Sequence, residues 1–350
     1  MSEVLKKIEN VKKNKSSLLN LSGMSLKKIP AEVFELNFLT NLNLRNNNIS
    51  EIPDGISKLS NLKVAYFDSN KIEFVSKELY NLEQLTVLDL GSNKIKEIPN
   101  EIGHLKNLTK LLISRNDLNT IAKPIGYLNK LKIFDLRNNT LQKIPKEFGE
   151  LINLNRLDLS KNELSNFEIN CDRLNQLEWL NLKSNKISEV STTIGRLSNL
   201  TKLDLGDNKL FKTPLNLEQL KKLEQLNLSE NSISSLELDI KKMKSLNEVK
   251  IFLNSDIQIQ NGLVKKLIKR KSWSNSQFKL IVDNEQAEKL AKFKDHFKSG
   301  AIGVIDFANK KIPLGHYKQI GPDIVEKYEL KDPMRERIRE KITGHNNGYS

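Results

Sequence analysis

Ten asparagines stand 23 residues apart: Asn47, Asn70, Asn93, Asn116, Asn139, Asn162, Asn185, Asn208, Asn231 and Asn254. A chain that repeats itself at this length stacks one short unit on the next, and the apolar residues keep the same register. Leu85, Leu88, Leu90, Ile95, Ile98, Ile102 and Leu105 around Asn93 return around Asn116 as Leu108, Leu111, Ile113, Leu118, Ile121, Ile125 and Leu128. Within each period a triplet such as Leu88-Asp89-Leu90 alternates apolar and polar, the pattern of a short strand with one buried face. Because every strand runs in the same chain direction, neighbours must pair in parallel, and the rest of each coil returns across the back of the sheet. The asparagine at the strand end cannot be there for packing, since an amide buried without partners costs about 1 to 3 kcal/mol. Its donors and acceptor are expected to satisfy backbone groups where the chain leaves the strand. Asn139→Ala is expected to cost about that much, and Asn254→Ala, at a frayed end, less.

The pattern resembles the leucine-rich repeat family, whose consensus LxxLxLxxNxIxxIPxxIxxLxx it follows almost column for column. The first buried strand position runs Leu19, Leu42, Ala65, Leu88, Leu111, Phe134, Leu157, Leu180, Leu203, Leu226 and Val249, which makes eleven coils over residues 16–260. Within the family the sequence is most similar to the intracellular group with Ile-Pro on the convex side, such as the Ras-suppressor and Scribble-type repeats and their bacterial counterparts. The resemblance implies an α/β solenoid: a curved leucine-rich-repeat horseshoe with a parallel concave sheet, an N-terminal helical cap and a C-terminal α/β cap or small domain. Departures sit mainly at the ends, where Met24 replaces the first asparagine and Asp256 an aliphatic residue, with Ala65 for leucine in the third coil.

Residues 1–15 read as the capping helix, with Val4, Leu5, Ile8 and Val11 on one face and Lys6, Lys7, Glu9, Lys12 and Lys13 on the others. Past residue 260 the 23-residue register disappears. Phe278–Val282 and Ala301–Phe307 suit strands, Leu263–Lys271, a stretch from Asp283 or Asn284 through Phe297, and Pro333–Ile342 suit helices, and Pro313-Leu314-Gly315 suits a break. Residues 261–350 are thus a cap or a small separate α/β domain.

No apolar run approaches the roughly 18 residues of a membrane span, and Met1-Ser2-Glu3 opens onto polar sequence, so a cytoplasmic protein is expected. One cysteine leaves no disulfide within the chain, and Asn-x-Ser/Thr triplets such as Asn48-Ile49-Ser50 follow from the repeat grammar without glycosylation. The formal net charge is +14, of which +7 lies from Asp256 onward, with 19 Lys and Arg against 12 Asp and Glu. Lys265, Lys266, Lys269, Arg270 and Lys271 raise the question of nucleic acid, but a solvated cap face or an acidic protein partner accounts for them, and the other lysines form no stripe.

Catalytic chemistry finds no candidate residues. Cys171 falls in the convex core column with Val33, Ile56, Leu79, Ile102, Ile125, Phe148, Ile194 and Ile240, and no cysteine lies outside the repeats. The four histidines lack metal-ligand spacing, there is no phosphate loop, and Gly300-Ala301-Ile302-Gly303 lacks the third glycine of a dinucleotide fingerprint. No enzyme activity, cofactor or metal is expected. The concave strand positions remain. Val64, Tyr66, Val87, Leu112 and Ile133 form an outward apolar cluster, and beside it stand Asp135, Arg137, Arg156, Asp158, Trp179, Lys183, Lys202 and Asp204. Exposed apolar patches and tryptophan beside arginine characterise protein interfaces. The competing reading is that Asp135 with Arg137 and Asp158 with Arg156 merely neutralise each other. The expected function is non-enzymatic binding of a protein or peptide on the concave sheet; alternatively, the repeats target an effector or regulatory domain at the C-terminus.

Overall fold

A computed structural model describes residues 3–239 and 242–254, and beyond them the backbone of five short strands between residues 258 and 327. The chain divides into two compact units, Met1–Lys209 with Pro214–Lys222, and Leu210–Thr213 with Leu223–Ser350. It is the expected solenoid of leucine-rich-repeat type, with a parallel sheet and an N-terminal helix.

The first unit opens with helix α1, Glu3–Asn14, whose Ile8 is buried, whose Val4, Leu5 and Val11 are half-buried, and whose lysines face solvent. It lies against the first of nine three-residue strands, β1, Leu18–Asn20. The others are β2 Asn41–Asn43, β3 Val64–Tyr66, β4 Val87–Asp89, β5 Lys110–Leu112, β6 Ile133–Asp135, β7 Arg156–Asp158, β8 Trp179–Asn181 and β9 Lys202–Asp204. Each pairs in parallel with the next at an offset of one period, so Leu19 meets Leu42, Leu42 meets Ala65 and Leu111 meets Phe134. That column is essentially solvent-free throughout. Two residues after the small Ala65, the larger Phe67 is buried where neighbouring coils carry Leu44, Leu90 and Ile113, and Phe134 stacks on Phe148 at 5.4 Å.

On the return path the chain makes single 3-10 turns, as at Asp54–Lys58, Asn100–His104 and Lys146–Glu150. Proline precedes these, its fixed φ already set for the entry. Where Ser76 and Ser191 replace it, their hydroxyls accept from the N–H of Glu78 and Thr193 and cap the turn instead. The turns stack so closely that a Cβ on Gly126 would stand 2.8 Å from the Glu147 carbonyl oxygen.

The asparagine ladder has a direction. Asn139 Nδ2 donates to Leu136 O in its own coil and to Ile113 O in the preceding one, and Oδ1 accepts from Leu118 N of that preceding coil. Each asparagine therefore completes the coil before it. That explains Met24: in the first coil an asparagine would have no earlier coil to serve, while Asn47 Oδ1 accepts from the N–H of both Met24 and Leu26.

In the second unit β10, Gln225–Asn227, pairs with β11, Glu248–Lys250. Asn254 donates to Leu228 O and Ile251 O, accepts from Ile233 N and is 3% exposed, against 7% for Asn139. Burial and bonding thus give no reason for the smaller loss expected at Asn254. Within this unit the parallel pairing continues past Asn254. Strand β12, Lys279–Asp283, pairs with β11 through Val249 and Leu280, and β13, Ile302–Ile305, pairs with β12, one residue off the first sequence-based strand and within the second. Strands β14, His316–Gln319, and β15, Val325–Lys327, then add antiparallel. Asp283, one of the two starts expected for a helix running to Phe297, is instead the last residue of β12, held in the ladder opposite Ile305. The rest of that helix, the helices expected at Leu263–Lys271 and Pro333–Ile342, the break at Pro313–Gly315, and Ile240 lie outside the described residues.

Candidate protein-interaction face

Each strand of the first unit sends two residues out on either side of its buried one, and a third follows the next buried aliphatic. The middle outward column is largely structural. Oδ1 of Asn20, Asn43, Asp89, Asp135, Asp158, Asn181 and Asp204 accepts the backbone N–H two residues on, at Ser22, Arg45, Gly91, Arg137, Ser160, Lys183 and Gly206. This side-chain turn closes the strand end. Only Tyr66 and Leu112 break the column within β1 to β9, so these two positions are released from the turn-closing role and carry apolar groups where every sister coil has Asp or Asn.

The apolar residues are half-buried but less continuous than the sequence suggests. Val64 lies beside Val87 and Tyr66 beside Asp89, whereas Lys110 stands between Val87 and Ile133, and Asp89 between Tyr66 and Leu112. Arg45, which sequence reasoning missed, organises this end. Its guanidinium lies 3.9 Å from the Tyr66 ring centroid, pairs with Asp68 and reaches Asp89 at 2.9 Å. Burial opposes the Arg45 charge, but the two carboxylates outweigh it and raise its pKa. Burial is also the main cause that raises the Asp89 pKa, with the Asp68 charge adding to it and the Gly91 N–H and Arg45 opposing it. Its partners come from two later coils, so no local motif announces Arg45.

Among the charged residues the structure separates two pairs that looked alike. Asp135 pairs with Arg137 at 3.3 Å, and burial raises its pKa despite that neighbour. Asp158 and Arg156 do not pair. Asp158 is 3% exposed and accepts from both the N–H and the hydroxyl of Ser160, so it presents little surface. Arg156 instead stacks on Trp179, its neighbour in register, with its guanidinium 4.0 Å from the ring centroid. Arg137, Arg156 and Lys202 are exposed, and Trp179, Lys183 and Asp204 half-buried.

Elsewhere, a depression of about 510 Å³ on the return side is lined by Lys106, Tyr127, Asn129 and Lys130. Cys171 is buried in the convex column, and desolvation pushes its thiol up to about 11. Among the described residues no cluster of His, Cys, Asp and Glu is arranged to hold a metal, and no helix is long and apolar enough to cross a membrane.

Two family models match, one described as a leucine-rich repeat region over residues 5–114 and one as a leucine rich repeat over residues 129–187. No curated protein matches the sequence. Among solved structures the chain is similar to a leucine-rich repeat protein of Leptospira interrogans, at 27% identity and TM-score 0.58 over 81% of both chains. The functional domain of InlJ from Listeria monocytogenes, which includes a cysteine ladder, shares the fold at 24% identity and TM-score 0.59, over 70% of this chain and 53% of its own. An internalin, InlF, of the same organism shares it at 21% and 0.59, over 79% and 87%. With Cys171 alone, this chain has no cysteine ladder.

Proposed function

The chain is a leucine-rich repeat protein, and from that premise we propose that it is a non-enzymatic, cytoplasmic interaction module holding a protein or peptide on the outward face of β3 to β9. The observation that carries the reading is the break in the turn-closing column. Seven coils of the first unit use Asp or Asn there, and the two that do not carry Tyr66 and Leu112, beside Val64, Val87 and Ile133. A structural role alone would favour Asp or Asn in these coils as well. Trp179 under Arg156 supplies the large rigid contact that interfaces concentrate their affinity in. Strands held about 4.8 Å apart preorganise these side chains, so little entropy is lost on binding.

The test is site-specific photocrosslinking in the source cell. A photoreactive residue at Leu112 or Trp179 is expected to give protein adducts, and one at Lys58 or Lys106, on the return side, none. Adducts from the return side alone would overturn the reading. The alternative, a C-terminal effector region targeted by the repeats, is less favoured because β12 continues the sheet of β11. A fragment of residues 262–350 is expected not to fold alone.

A further inference from the structure

The first outward column across β5 to β9 reads Lys110, Ile133, Arg156, Trp179, Lys202, each beside the next in register. Cations alternate with large apolar groups, and with strands about 4.8 Å apart the cations recur roughly every 10 Å. Lys110, Arg156 and Lys202 are exposed, and neither they nor Lys183 joins an ion pair among the described residues. The face also holds three aspartates, but each accepts the backbone N–H two residues on. Asp135 serves Arg137, Asp158 accepts twice from Ser160, and Asp204 accepts from the Gly206 N–H. Its negative groups are committed to strand ends, while four cations remain available to an incoming partner.

Resting on the reading of this face as a protein-binding surface, we infer that the bound segment is an acidic helix lying across β5 to β9, with carboxylates two turns apart and apolar side chains between them. A helix rises about 1.5 Å per residue, so positions i and i+7 stand about 10.5 Å apart with i+3 and i+4 between them, which matches the cation spacing. Carboxylates meet Lys110, Arg156 and Lys202; apolar groups meet Ile133 and Trp179. Nucleic acid fits less well. Its phosphates would suit the lysines, but Ile133 and Leu112 offer no stacking platform and one face of Trp179 is already covered by Arg156.

The experiment selects a displayed library of helical peptides, about 15 residues or roughly 22 Å long, against the full-length chain. Enriched peptides are expected to carry Glu or Asp at i and i+7 with apolar residues between. They are expected to bind at least about tenfold more weakly to a chain bearing K110E, R156E and K202E together, and to weaken steeply with salt. Circular dichroism checks that the exposed substitutions leave the fold intact. Neutral or basic winners, acidic winners indifferent to the triple reversal, or no enrichment at all would each overturn the inference. Leu112→Asp separates this failure from failure of the functional reading. Non-acidic winners lost on Leu112→Asp leave the face as the binding surface, whereas winners indifferent to it and lost on Lys106→Glu remove that reading too. A dye-labelled single-stranded oligonucleotide is titrated in parallel; binding abolished by the triple reversal, with no acidic peptide bound, would replace the helix with nucleic acid.

Discussion

Arg156 and Leu157 are consecutive residues of one strand, and they answer to different requirements. Leu157 stands in a column that is solvent-free from β1 to β9 and tolerates only changes of apolar shape, such as Ala65 or Phe134. Arg156 stands in a column where valine, lysine, isoleucine and tryptophan follow one another. The same backbone thus carries two scripts, one for stacking and one for contact, and the period-2 alternation of a strand keeps them apart. Substitutions should therefore divide cleanly between stability and binding.

Phe134→Ala is the strongest expected blow to the inner script. It removes a fully buried ring stacked on Phe148 and should lower stability by about 3 to 5 kcal/mol in chemical denaturation, while Leu112→Ala, half-buried on the outer face of the neighbouring strand, should cost far less. Comparable losses at the two positions would blur the division. Next comes the ladder. Asn139→Ala should cost about 1 to 3 kcal/mol by stranding groups of two coils, and Asn254→Ala, with the same set of bonds, as much. A markedly smaller loss at Asn254 would restore the frayed end that the sequence suggests. On the outer face, Trp179→Ala should weaken partner binding by about 2 kcal/mol and leave the melting temperature nearly unchanged. Charge reversal at Lys58 or Lys106 should stay within about 0.5 kcal/mol. If Lys106 mattered more, the return-side depression would be the contact surface.

The smallest effect concerns Cys171. Its buried thiol should resist alkylation in the native protein and react on denaturation, as followed by mass spectrometry. From about pH 9 to about 11 the unfolded thiol gives up its proton while the folded one keeps it. The folded state then binds more protons, so stability falls as pH rises through that window, and Cys171→Ala should remove this part of the fall.

The inner script was legible because burial repeats at fixed spacing, and the 23-residue period placed nearly every strand. The outer one was read less well. Asp158 and Asp204 looked like recognition charges because a carboxylate is read first for its charge, and the hydrogen bond to the amide two residues on appears only once the strand-end geometry is known. Arg45 escaped because Asp68 and Asp89 reach it from separate coils. Past the repeats the period lapses, but the apolar runs at Phe278–Val282 and Ala301–Phe307 still marked β12 and β13; what no period could give was their partners, and the pairing of β12 on β11 spans 31 residues, from Val249 to Leu280, instead of 23.

The backward reach of the asparagines has a consequence for synthesis. Since each coil waits for the amide of its successor, a nascent coil leaving the ribosome stays unfinished until about one further period has emerged, as when Leu118 N–H waits for Asn139. Assembly is then paced from the N-terminus by translation itself, one coil always a step behind the chain that completes it.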